Sequence, residues 1–154
     1  MEEAFGVLSG AEMALFESLQ PSEQGHSLEV FKCLVESGEN DHDLLVAALL
    51  HDVGKSRYPL RLWERVVIVL FKHFMPAKAK AWGNGAPLGW KRPFVVSEQH
   101  AAWGAEMIEQ AGCSELSVNL VRRHQQALFP VGDPQQLSYE DRLLFQLQRY
   151  DNES

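Results

Sequence analysis

LLVAALLHDVGK, residues 44–55, is the stretch from which the rest of the chain can be read. A run with no polar face to offer water reads as a helix buried on most sides. It closes on His51 and Asp52. An imidazole and a carboxylate buried side by side are costly unless neutralised, hydrogen-bonded or coordinated, and a metal ion meets that need with the fewest partners. Gly54 is expected to stop the helix, with the positive charge of Lys55 just beyond it. The stretch therefore points to a metal-bearing catalytic centre at the end of a core helix.

Working outward, Asp41 caps this helix, and the segments on either side also read as helices. Ser9 with Glu12 forms a capping box for a first helix running to about Leu19, before Pro21. A second begins at Ser22 and carries His26, Val30, Phe31 and Leu34 on one face, ending at Ser37-Gly38. A fourth is expected from about Leu60 to Met75. The segment from Pro76 to Pro93 is too interrupted by Gly and Pro for one helix and reads as a long functional loop, a candidate lid. A fifth helix spans roughly Phe94 to Ala111, with His100 one turn before Gly104, a glycine that would let another backbone approach. A sixth runs from Ser114 to about Ala127, with His124 continuing the stripe of Leu120 and Val121. After a break at FPVGDP, a last helix from about Ser138 turns Leu143, Leu144 and Leu147 inward and brings Asp151 one turn beyond them. No strand alternation persists, so the expected fold is all-α, a bundle of six or seven helices forming a single domain over residues 1–154.

Composition narrows the class. An apolar content of 45% with 23% charged residues is that of an ordinary soluble domain. The formal charge of -7 argues against nonspecific nucleic-acid binding and against an anionic membrane as partner. Two isolated cysteines, Cys33 and Cys113, form neither a disulfide framework nor a zinc-finger spacing, and the acidic MEEAFGVLSG lacks the basic, apolar and small-residue succession of a signal peptide, so a reducing, cytoplasmic setting is expected. The apolar window Val66–Phe71 is far shorter than the roughly 20 residues of a spanning helix and reads as a core helix or a homodimer face.

Five of the expected helices each bring a donor inward: His26, then His51 with Asp52, then His100, His124 and Asp151. Four imidazoles and two carboxylates suit divalent Fe, Mn, Ni, Co or Zn better than Mg. Two ions fit this set: His26, His51 and Asp151 around one, His100 and His124 around the other, and Asp52 bridging. Each residue also has a plainer reading. His26 could be a structural histidine, His51 and Asp52 a hydrogen-bonded pair, His100 and His124 mere supports of a single-ion site, and Asp151 a solvated carboxylate near the chain end.

The order His, His-Asp, Asp, with HDVGK closing the second element, resembles the HD superfamily of metal-dependent phosphohydrolases. The intervening His100 and His124 resemble its binuclear branches, which include cyclic-dinucleotide phosphodiesterases, dinucleoside tetraphosphate hydrolases and some diiron oxygenases. The GYP signature of the cyclic-di-GMP branch is absent. ALLHDVGKSRYPLRLWERVV, HAAWGAEMI and RRHQ together are similar to small stand-alone bacterial HD proteins. The resemblance implies hydrolysis of a phosphomonoester or phosphodiester, with a nucleotide or dinucleotide as substrate. Asp52 and Lys55 would be catalytic, and Lys55, Arg92 and Arg123 would meet the phosphate. Two other readings share the ligand pattern: a diiron oxygenase cleaving a C–P or C–C bond, and a non-catalytic nucleotide-binding sensor.

Overall fold

The computed structural model describes residues 2–126 and 137–153, so the FPVGDP break and the expected helix end at Ala127 lie outside the described residues. The helices are α1 (Glu2–Val7), α2 (Gly10–Glu17), α3 (Pro21–Glu36), α4 (His42–Leu50), α5 (Leu62–Phe74), α6 (Pro76–Trp82), α7 (Arg92–Gln110), α8 (Glu115–Arg123) and α9 (Tyr139–Glu153), with short 3₁₀ turns at Val53–Arg57 and Gly89–Lys91. No strand occurs among the described residues. The all-α expectation holds, and the seven expected helices are joined by two short ones, α1 and α6.

α4 is the axis of the fold. Every residue from Leu44 to Leu50 is buried, against α1, α2, α3, α8 and α9. A nine-residue helix with no exposed apolar surface draws its stability from this packing rather than from propensity. Its N-terminus is capped by Asp41, whose side chain accepts from the Leu44 amide at 2.9 Å. The Ser114 and Ser117 hydroxyls donate to Asp43 Oδ1 at 2.6 and 3.0 Å, so the start of α8 is tied to the start of α4. Both helices then run from this joint toward their histidines.

Gly54 has a different role from the one expected. The α-helix has already ended at Leu50, and Gly54 lies within the 3₁₀ turn, without a left-handed φ. A Cβ there would meet the His100 carbonyl oxygen at 2.0 Å and the Gly104 amide nitrogen at 2.7 Å. Gly104 reciprocates, its own Cβ position lying 3.2 Å from the Gly54 nitrogen. Two facing glycines thus let the turn carrying Asp52 lie backbone to backbone on the helix carrying His100.

The Pro76–Pro93 stretch is also more ordered than its composition suggests. Pro76 occupies the first turn of α6, where a missing amide costs nothing, and PAKAKAW continues as helix. Trp82 packs edge-on against Phe94 and Trp90 and at a tilt against Phe71, and Gln99 donates to the Gly83 carbonyl at 2.9 Å. The segment is anchored to α5 and α7 by these contacts, and only residues 83–88 separate the two helical pieces. Among the described residues no helix is long and apolar enough to cross a membrane.

Candidate metal centre

The six sequence-derived donors converge. α3 supplies His26, the end of α4 His51 and Asp52, α7 His100, the end of α8 His124, and α9 Asp151. They form two groups, His26–His51–Asp151 and Asp52–His100–His124, with the ligand atoms of each within 4.8 Å of one another. The second group is wholly buried, whereas His26 and Asp151 are about one-quarter exposed and form the solvent side.

Ring orientation follows from the helices. His51, His100 and His124 each place Nδ1 against a backbone carbonyl one turn earlier: Ala48 at 2.9 Å, Val96 at 3.0 Å and Val121 at 2.7 Å. A neutral imidazole that donates through Nδ1 presents a lone pair at Nε2. These three Nε2 atoms point toward one another and toward carboxylates. His100 and His124 are 3.3 Å apart, and His100 lies 3.2 Å from Asp52 Oδ1. His51 Nε2 lies 3.3 Å from Asp151 Oδ1 and 3.7 Å from Asp52 Oδ2, yet makes a hydrogen bond with neither. His26 Nε2 is paired with Asp151 Oδ1 at 2.8 Å.

Lone pairs and carboxylates facing each other in a buried space call for a positive charge. The titration of the site expresses the same demand. Burial opposes charge on His51, but Asp52 and Asp151 outweigh it and raise its pKa. Burial likewise works against the Asp52 carboxylate, yet His51, Lys55 and the adjacent His100 hold it well below the usual range. Asp151 is lowered in the same manner, chiefly by its hydrogen bond with His26 and by the nearby His51. His124 is pushed down to about 3 by burial and then by the neighbouring His51 and His100. A donor set of imidazole nitrogens and carboxylates, with an orphaned buried Nε2 among them, fits a divalent metal.

Lys55 Nζ sits 2.5 Å from Asp52 Oδ2, one turn along the 3₁₀ segment. Beside it opens a cleft of about 290 Å³, lined by His26, Asp52, Lys55, Arg65, His124 and Asp151 among others. Arg65 is a cation that the sequence reading passed over. Its guanidinium reaches Glu23 Oε1 at 2.6 Å, Ser22 Oγ at 3.0 Å and the Gln20 side chain, which fixes it in the wall. Gln148 was also missed. Its amide nitrogen faces the carbonyls of His124 at 2.8 Å and Gln126 at 2.6 Å, capping the end of α8 and so holding His124 in place. The only advance signal for it was its position one turn before Asp151.

Arg92 and Arg123 are engaged elsewhere. Arg92 binds Glu64 Oε1 at 2.6 Å and the Pro59 carbonyl at 2.8 Å. Arg123 is held by Glu140 and, at 2.6 Å, by Asp141 Oδ1. Each guanidinium is committed to carboxylates on an element it joins to the bundle, and neither lines the cleft beside the donors.

No curated protein and no solved structure matches the chain. The family model for the HD domain matches residues 24–153, a span that begins just before the first donor and closes just beyond the last. With most of its length matched and its donors in this order, the chain belongs to the HD-domain family, an all-α family that binds divalent metals and whose members are commonly hydrolases.

Proposed function

We propose that this protein is a metal-dependent phosphohydrolase acting on a phosphomonoester or phosphodiester bond of a nucleotide or dinucleotide. One observation supports the reading: Asp52, a member of the buried donor group, lies 3.7 Å from His51 of the other group and contacts the Lys55 ammonium at the edge of an open cleft. His26, His51 and Asp151 would hold one divalent transition ion, Fe, Mn, Ni, Co or Zn. His100 and His124 would hold a second, with Asp52 shared between them. Such ions polarise a phosphoryl oxygen and lower the pKa of water.

The chain's own residues do the remainder. Phosphoryl transfer asks mainly for positioning and for neutralisation of charge on the phosphoryl oxygens. Lys55 and the anchored Arg65 supply that charge from one wall of the cleft. The Nδ1–carbonyl hydrogen bonds keep three rings from turning, so their Nε2 atoms need no reorganisation. Arg92 and Arg123, with their carboxylate partners, act in the scaffold instead.

The test is metal analysis of the purified protein with a screen of nucleotides, dinucleotides and simple phosphate esters, run with and without dioxygen. Phosphate release that needs a divalent ion and persists anaerobically is expected. Absence of bound metal and of turnover with every added ion would sink the reading, and strict dependence on iron and dioxygen would replace it with an oxygenase.

A further inference from the structure

The charge of -7 averages over two very different parts of the molecule. Residues 55–92 carry nine Lys and Arg against one carboxylate, Glu64, a formal +8; the remaining residues, with five cations against twenty carboxylates, carry -15. Within the basic segment Lys55, Arg65 and Arg92 are committed to Asp52, Glu23 and Glu64. Arg61, Lys78, Lys80 and Lys91 are exposed and have no ion-pair partner among the described residues, and Lys72 is held only loosely by Glu98 at 3.8 Å.

The same segment exposes apolar surface where a surface helix ordinarily places charge. α5 turns Glu64 and Ile68 inward, and its opposite side presents Leu62, Trp63, Val66, Val69, Leu70 and Phe74 to solvent. Leu62 is 79% and Phe74 73% exposed. Six such side chains amount to on the order of 700 Å² of apolar surface, above the roughly 300–600 Å² of the largest patch on a typical monomer. Leu88 and Trp90, just beyond α6, are also exposed, and Lys91 lies over the Trp90 ring at 5.5 Å.

A second copy seated symmetrically on this face would bring its own exposed cations against the first, and nothing on α5 or α6 would neutralise them. An anionic lipid surface satisfies both features at once. Apolar side chains and tryptophans enter the boundary between headgroups and acyl chains, while lysines reach the phosphates. We propose that the outer face of α5, with the cations of α6 and the neighbouring 3₁₀ turn, docks this protein peripherally on an anionic membrane.

This departs from the expectation drawn from net charge, because a membrane responds to the face presented and not to the sum over the molecule. The face is close to the candidate centre. Val69 and Lys72 also border a cleft of about 340 Å³ that reaches Lys55 and His100. Docking would therefore set this cleft near the lipid. The docking itself does not depend on the hydrolase reading.

Co-sedimentation of the full chain with phosphatidylcholine vesicles, with and without phosphatidylglycerol, tests the proposal. Binding to the phosphatidylglycerol vesicles is expected, weakened by salt and at least ten-fold poorer without the anionic lipid. Lys78→Glu with Lys80→Glu should weaken it by about five-fold or more per site. Leu62→Glu with Phe74→Glu should abolish it while the thermal midpoint is unchanged. Failure to bind either vesicle, or undiminished binding by these variants, would overturn the proposal. So would a homodimer in sedimentation velocity that Leu62→Glu with Phe74→Glu dissociates, since the face would then be a contact between copies.

Discussion

Gly54→Ala probes the contact on which the inner donor group rests. The added methyl would lie 2.0 Å from the His100 carbonyl oxygen, 2.8 Å from its carbon and 2.7 Å from the Gly104 nitrogen. All three are backbone atoms within α7, so no side chain can rotate out of the way. Restoring ordinary non-bonded contact requires the turn and the helix to separate by about 1 Å or more. Asp52 sits two residues before Gly54 and His100 carries the opposing ring, with 3.2 Å between Asp52 Oδ1 and His100 Nε2. A shift of that size exceeds the tolerance of about 0.5 Å for a functional constellation. The expected cost is about 3 kcal/mol of stability, at the upper end of overpacking effects, with loss of bound metal. Urea denaturation and metal analysis of the same preparations measure both. Gly104→Ala, whose nearest contacts are 3.2 and 3.3 Å, should cost less, and Gly25→Ala, in open space on α3, should be neutral or stabilising by up to about 1 kcal/mol. A Gly54→Ala protein with parental stability and parental metal content would refute the reasoning.

Other outcomes follow from the site and the core. Under the proposed two-ion arrangement, in which Asp52 is shared, Asp52→Ala should abolish metal binding whereas His124→Ala should retain part of it; equal losses on metal analysis would contradict that arrangement. In the chelated protein, His124 is held at about 3, below the ordinary value of 6.5. Between these values the unfolded chain binds the extra proton, so His124 destabilises the fold as pH falls from about 7.5 to 5.5, by about 1 kcal/mol. His124→Gln should remove that part of the acid sensitivity in denaturant titrations, while raised His51 contributes with the opposite sign and remains. Cys113 is pushed up to about 12 by burial and by its hydrogen bond to Glu12 at 3.1 Å. Its alkylation at pH 8, followed by mass spectrometry, should be slow, and Glu12→Gln should speed it by about ten-fold or more.

The legible part of this protein is the part built from local periodicity. LLVAALLHDVGK declares a buried helix with a polar end, and the spacing of His26, His100, His124 and Asp151 against apolar stripes puts each on an inward face. Where composition was the guide, the reading went less far. PAKAKAW looked broken because Gly and Pro surround it, yet Pro76 opens its helix and the breaks fall after Trp82. Gly54 read as a helix stop, although its function is contact with a backbone some fifty residues away in the chain.

The sequence by itself determined the helices, the core axis and the inward placing of the six candidate donors, because these depend on side-chain type at helical spacing. Only the tertiary structure decided which cation faces the cleft. Arg65 is set there by Glu23, whereas Arg92 and Arg123 are drawn away by Glu64, Glu140 and Asp141. It also brought Asp52 within 3.2 Å of His100 and 3.7 Å of His51, and gave an acidic protein a basic, apolar face. An ion pair, a backbone contact or a surface patch belongs to two elements at once, and no single stretch of sequence contains it.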